Sequence, residues 1–217
     1  MNLLHKANRV LIVGQSSTGK TEFFSRYVLN SGHDYHFIFD QEGEMPLRLG
    51  GRHARTAQDL FLALDARFVI FDPSDMFPGE TAAGFDFFCD WCFEVSKQLP
   101  GTKLFAADEL QKIIGTNTYP PEFALVNETG RRHGLDSVYI SQQPNLIHNR
   151  TRAQMTEVVT FRMSDKRAME WLVEYGFDDD EVRGLPDGQW IAIEQKSATR
   201  TEGNLWAGRQ MSVKASG

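Results

Sequence analysis

The chain of 217 residues has only two cysteines, no excess of positive charge and no long apolar run. Each shortage excludes something. Cys89 and Cys92 form a Cys-x-x-Cys, but no second pair of Cys or His stands at a spacing suited to zinc. Together with Phe85, Phe88 and Val95 they fall at helical three-and-four spacing, which reads as the buried side of a helix. The formal net charge of -6 does not suit a surface coated for nucleic acid. Contact with DNA would have to come from local basic loops or from an assembled ring. No apolar run approaches the roughly 18 residues that span a bilayer. The first ten residues, with Lys6 and Arg9, hold no signal-peptide core. A cytoplasmic protein without a transmembrane segment is therefore expected. Repeats and low-complexity linkers are lacking too.

What is present is material for a core. Hydrophobic residues make up 41% of the chain, with sixteen Phe and four Trp, which suits a single domain over 1–217. Apolar, β-branched runs predict strands over 9–14, 35–40, 67–73, 102–109, 137–142 and 157–163. Between them, helices are expected over 20–29, 56–65, 83–99, 120–134 and 165–176. Thr56 is the expected cap of the second of these and Gly176 the stop of the last. Alternating strands and helices with solid apolar strands predict an α/β fold with a mostly parallel sheet, covered by helices on both faces. Segments 188–195 and 205–213 are expected to form a C-terminal β-hairpin, joined by a polar, mobile stretch from Ser197.

One motif carries specific chemistry. Gly14-Gln15-Ser16-Ser17-Thr18-Gly19-Lys20-Thr21 fits G-x-x-x-x-G-K-[ST] without a mismatch, between an apolar strand and a helix. Gly14 and Gly19 permit backbone angles that a side chain would oppose. The N–H groups of the loop can then turn inward around phosphate oxygens. In this reading Lys20 neutralises the β- and γ-phosphates of ATP, and the Thr21 hydroxyl ligates Mg2+. Such a loop needs a carboxylate at the end of a neighbouring strand. Asp72 ends one strand, but Pro73 follows it and it lacks a second acid. Asp108 and Glu109 end another and can divide two jobs: Asp108 orients the metal, usually through water, and Glu109 activates the attacking water.

The strand "VYIS" ends in Gln142, Gln143 and Pro144, at the edge where open α/β sheets bind ligands. A neutral amide there can donate to a γ-phosphate oxygen and accept from water. Gln142 can equally be the start of a turn before Pro144.

Taken together, these residues resemble the FtsK–HerA superfamily of DNA-pumping ATPases over roughly 8–195. "FIFDQEGE" matches its apolar-Asp-x-x-x-Glu strand, through Asp40 and Glu44. "LFAADE" matches its strand ending in Asp-Glu. "RRHGLDSVYISQQP" matches its basic residues and Gly before a strand ending in Gln-x-Pro, and "VVTFRMSDK" matches the strand that follows. The resemblance implies a RecA-like (ASCE) P-loop NTPase fold and places Gln142 at the sensor position. Gln143 stands where many members have arginine. It also implies a homo-oligomeric ring, commonly a hexamer, in which an arginine of one subunit reaches the γ-phosphate held by its neighbour. Arg131 and Arg132 are the first candidates for that arginine, and Arg150 and Arg152 the second.

The compact chain looks most like the genome-packaging ATPases of tailless icosahedral, membrane-containing phages of the tectivirus type. That implies double-stranded DNA and viral capsid vertex proteins as partners, in host cytoplasm or the virion. The locally basic stretches 48–55 and 148–152 are the expected flexible DNA loops. Three rivals stand beside this reading. A small-molecule kinase needs an arginine-rich lid, which is not found. A non-catalytic nucleotide switch would not need Glu109. A filamentous-phage-type morphogenesis ATPase normally carries a membrane segment.

Overall fold

The computed structural model describes residues 9–207. Its strands are β1 (Arg9–Val13), β2 (Tyr35–Phe39), β3 (His53–Ala54), β4 (Phe68–Phe71), β5 (Lys103–Ala107), β6 (Leu135–Ser141), β7 (Glu157–Thr160), β8 (Gln189–Glu194) and β9 (Thr199–Asn204). All belong to one nine-stranded sheet in the order β3-β4-β2-β5-β6-β1-β7-β8-β9. Strands β1 to β7 run parallel, and β8 and β9 are antiparallel. The helices are α1 (Lys20–Asn30), α2 (Met45–Leu49), α3 (Ala57–Asp65), α4 (Thr81–Gln98), α5 (Pro121–Ala124), α6 (Asn149–Ala153), α7 (Lys166–Tyr175) and α8 (Asp179–Gly184). This is the mostly parallel α/β architecture with a C-terminal hairpin that the sequence predicts.

The central strands are apolar on both sides because both faces of the sheet are covered. Val10 and Ile12, with Ile38, Val138 and Ile140, face α1, which packs Phe23, Phe24, Tyr27 and Val28 against them. Leu11 and Val13, with Phe37, Phe105 and Tyr139, face α4 and α7. On α4 the contact is made by Phe85, Phe88, Cys89 and Cys92, so the Cys-x-x-Cys is core. Both thiols are free and fully buried, and burial pushes their pKa values up.

Local signals act as the sequence predicts at several ends. Thr56 caps α3 in a reciprocal box with Asp59, each accepting a backbone N–H of the other at 3.1 Å. Gly176, at φ +111°, ends α7 in the left-handed conformation. Lys103 opens β5 with its ammonium on the carbonyls of Leu99, Gly101 and His133, which ties the end of α4 to the amino edge of the sheet.

Two expectations need correction. The helix over 120–134 is interrupted: after α5 the chain widens into a π turn at Leu125–Thr129 and tightens into a 3-10 turn at Gly130–His133. Buried Asn127 lies in the widened turn, and Arg9 Nε of β1 donates to its carbonyl, an acceptor that a regular helix would keep for itself. The hairpin partner of β8 is not 205–213. It is β9, formed by the stretch expected to be mobile, with Gln189 opposite Asn204 and Glu194 opposite Thr199. Leu205 is buried against the α1 side of the sheet, and residues 208–213 lie outside the described residues. Strand β9 is held by backbone bonds to β8 and leaves nearly all its side chains exposed, so it has no apolar alternation.

Phe88 touches the rings of Phe39, Phe71, Trp91 and Phe105 and has no exposed surface. Phe88→Ala is expected to lower unfolding stability by about 3–5 kcal/mol in chemical denaturation. A loss below about 1 kcal/mol would contradict this packing.

Candidate active site

Strand order decides which loops meet. Strands β5, β6 and β1 are consecutive and parallel, so their carboxyl ends leave the sheet side by side. The segments that follow them are Asp108-Glu109, Gln142-Gln143 and the Gly14–Thr21 loop.

The loop between β1 and α1 is fixed by close packing. Gly14 has φ +152°, and a Cβ there would stand 2.7 Å from Phe161 Cβ; Gly19 has φ +112°, and its Cβ would meet Leu205 Cδ1 at 2.8 Å. Gly14 therefore needs glycine for space as well as for conformation, and Gly19 needs it for conformation. Gln15 N–H donates to the Arg162 carbonyl at 3.0 Å, and its side-chain oxygen accepts from Ser164 Oγ at 3.0 Å. The Gln15 carbonyl in turn accepts from Thr18 Oγ1 at 2.8 Å and Lys20 Nζ at 2.7 Å. Lys20 is only 5% exposed. Burial lowers its pKa, while nearby Glu109 and Asp108 oppose the shift. Thr21 is half-buried in the first turn of α1.

Across from the loop, Asp108 and Glu109 are 8% and 9% exposed. Burial and the Glu109 charge push the Asp108 pKa up to about 6, against the pull of the Glu109 N–H, which donates to Asp108 Oδ1 at 2.7 Å, and of Lys20. Glu109 stands in the left-handed conformation, φ 48° and ψ 44°. Gln142 Nε2 donates to Glu109 Oε1 at 2.7 Å, and Gln142 Oε1 accepts from Ser16 Oγ at 2.8 Å. A continuous hydrogen-bonded path thus runs from the phosphate-loop motif to the carboxylate. Gln143 is exposed and tied down through its backbone: its N–H donates to Ser141 Oγ at 3.1 Å and its carbonyl accepts from the Leu146 N–H at 3.0 Å.

Two glutamines missed by the sequence reading complete the surround. Gln111 Nε2 donates to Glu109 Oε2, and Gln41 Nε2 donates to the Asp108 carbonyl at 3.0 Å. Gln41 stands two residues past the end of β2, which is close to the signal that singled out Gln142; Gln111 stands four residues past β5, inside the 3-10 turn Leu110–Lys112, where that signal does not reach. Asp40, 1% exposed, organises the loop that carries Gln41: it accepts from the N–H groups of Gly43, Glu44 and Met45 and from His53 Nε2 at 2.7 Å. Glu44 is exposed and pairs with Arg48. Asp72 directly follows β4, on the far side of β2, where it accepts from Arg55 Nε and the Ser74 N–H, both at 2.9 Å.

The arginines lie elsewhere. Arg131 and Arg132 are exposed on the 3-10 turn before β6, at the amino edge of the sheet. Seven residues of β6 put about 23 Å between that edge and the phosphate-loop edge. Arg150 pairs with Glu128 at 2.9 Å and lies over the Tyr119 ring, and Arg152 lies over Trp171. The basic stretches expected as flexible loops are ordered: 148–152 contributes α6, and 48–55 contributes the end of α2 and all of β3.

No protein-family model matches the chain, and no curated protein matches it in sequence. Solved structures match its fold. The genome packaging NTPase B204 of Sulfolobus turreted icosahedral virus 2, in complex with AMPPCP, superposes with TM-score 0.70 at 17% identity, over 91% of this chain and 97% of that one. EccC of Thermomonospora curvata (ATPases 2 and 3) gives TM-score 0.61 at 13% identity, over 92% of this chain but 37% of its own. The conjugation coupling protein TcpA of pCW3, with ATPgS, gives 0.56 at 12%, over 93% and 60%. The chain has the fold of these proteins.

The raised Asp108 pKa has a measurable consequence. The folded state holds this proton more tightly than the unfolded chain, so its contribution to stability falls as pH rises from about 4 through about 6. Asp108→Asn is expected to stabilise the fold by about 1–3 kcal/mol at pH 7.5 and by almost nothing at pH 3.5. Equal melting-temperature shifts at both pH values would contradict this assignment.

Proposed function

We propose that the chain is one P-loop ATPase domain that hydrolyses ATP to drive double-stranded DNA, a viral genome, into a preformed capsid. The observation that carries the reading is the hydrogen-bonded path from Ser16 through Gln142 to Glu109, which joins a phosphate loop to a water-activating acid. The full-length likeness to a genome packaging NTPase supports the choice of cargo.

In this reading the loop N–H groups and Lys20 hold the β- and γ-phosphates. Thr21 and Asp108 offer hard oxygen donors that suit Mg2+, which usually takes only one or two protein oxygens and fills the rest with phosphate and water. Asp108 is the better suited to it because its charge is otherwise costly in this buried place. Bound Mg2+ supplies charge neutralisation across the phosphates. Glu109 takes a proton from water as the water oxygen bonds to the γ-phosphorus and the bond to the β-phosphate oxygen breaks. Gln142, leaving Glu109 for a γ-phosphate oxygen, reports whether that phosphate is present.

The distance of Arg131 and Arg132 from their own phosphate loop suits action on a neighbour, in a ring that the resemblance puts at six subunits. Such a ring would stand at the capsid vertex, in host cytoplasm or the virion. Six copies of the basic stretches around a pore would grip DNA phosphates without reading bases.

The test is ATP turnover with and without double-stranded DNA, alongside particle mass by light scattering. A ring-sized particle whose turnover rises with DNA is expected. Glu109→Gln should keep nucleotide affinity and lose turnover by about a hundredfold or more. A monomer indifferent to DNA, or a Glu109→Gln protein that still turns over ATP normally, would refute the motor reading.

A further inference from the structure

We propose that Gln111 is a positioning residue that holds the Glu109 carboxylate back from water and keeps hydrolysis slow until the turn that carries it moves. The inference rests on the reading of Glu109 as the water-activating acid and adds a brake to it. Both oxygens of that carboxylate are engaged: Gln142 Nε2 bonds Oε1 and Gln111 Nε2 bonds Oε2. Only the NH2 end of an amide can face a carboxylate oxygen, so the direction of both bonds is fixed by chemistry. A general base must take a hydrogen bond from the water it deprotonates, at roughly 2.6–3.2 Å. An amide donor already takes one acceptor site on each oxygen and fixes how the carboxylate is turned, so water is left only the remaining lone pairs in that orientation.

The two amides answer to different parts of the molecule. Gln142 is tied to the phosphate loop through Ser16, so nucleotide can draw it away. Gln111 has no such tie: its Oε1 is buried with no donor among the described residues, and it touches the site through its NH2 group. It belongs to the 3-10 turn Leu110–Lys112, folded back over Glu109 by the left-handed conformation of Glu109 itself. A residue with a side chain adopts that conformation at a cost, so surrounding contacts must hold it. Gln41 Nε2 reaches the Asp108 and Glu109 carbonyls, Lys112 N–H returns to the Glu109 carbonyl at 2.9 Å, and Lys112 Nζ pairs with Glu42 at 2.6 Å. Gln41 and Glu42 follow β2, on the side of β5 away from the phosphate loop. A shift of the 41–44 loop therefore moves Gln111 without passing through the nucleotide. Phosphate would release one oxygen of Glu109 and this loop the other.

The test compares wild type, Gln111→Ala and the near-isosteric Gln111→Met. It measures ATP turnover with and without double-stranded DNA, affinity for a fluorescent ATP analogue, and melting temperature. Both variants are expected to raise DNA-free kcat by about tenfold, the scale of one lost hydrogen bond to a charged group. KM, analogue affinity and DNA-stimulated kcat should stay within twofold of wild type. A purely structural role would lower kcat in both conditions. Folded variants whose DNA-free kcat is unchanged or reduced would overturn the brake alone, provided wild type hydrolyses ATP. Wild-type protein that hydrolyses no ATP in either condition overturns the hydrolase reading and the brake with it.

Discussion

A buried ammonium facing two buried carboxylates governs this structure. Lys20 has lost nearly all its water, and its companions are the Gln15 carbonyl and the field of Asp108 and Glu109. Charges taken out of water must be balanced where they lie, because an unpaired one is costly. The balance here is incomplete: one cation faces two acids, and the Asp108 pKa rises as a result of burial and the Glu109 charge. A site in that condition favours a further cation, and under the proposed function Mg2+ arriving with nucleotide phosphates would meet the need. The glycines at 14 and 19 serve the same end, because they let the loop pack against Phe161 and Leu205 and so bring Lys20 to the acids.

The sheet sets this local balance in a polar frame. Three adjacent parallel strands deliver the phosphate loop, the Gln142 amide and the acid pair to one edge, while the exposed arginines before β6 stand at the other. A subunit built this way has its phosphate loop at one edge of its sheet and candidate arginines at the opposite edge. That polarity suits head-to-tail association, in which each subunit serves the next. The Asp40–His53 pair supports the arrangement from beyond β5 by fixing the loop that presents Gln41 and Glu42.

Much of this could be read from the sequence because the relevant signals are local. The phosphate loop is contiguous, the apolar strands are solid, and the Thr56 cap and Gly176 stop are governed by their own neighbours. Strand order could not be read that way, since β1 lies between β6 and β7 through contacts more than a hundred residues apart in the chain. The β9 strand escaped because it is held chiefly by backbone bonds to β8 and nearly all its side chains face water. The widened turn at Leu125–Thr129 escaped because an arginine from β1 meets it. Gln111 and Gln41 escaped for a different reason: a glutamine in a loop a few residues past a strand carries meaning only once the strand ends are known to converge. The resemblance singled out Gln142 as a sensor; the structure shows it bonded to Ser16 and Glu109, and the sensor role belongs to the proposal.

The most direct test of the central claim is a structure of the assembled protein with a non-hydrolysable ATP analogue and Mg2+. The account predicts γ-phosphate oxygens on Lys20 Nζ and Gln142 Nε2, with the Gln142–Glu109 bond broken and an arginine of the adjacent subunit at the same phosphate. An analogue bound away from the Gly14–Thr21 loop, or a Gln142 amide still on Glu109 with the γ-phosphate in place, would contradict it.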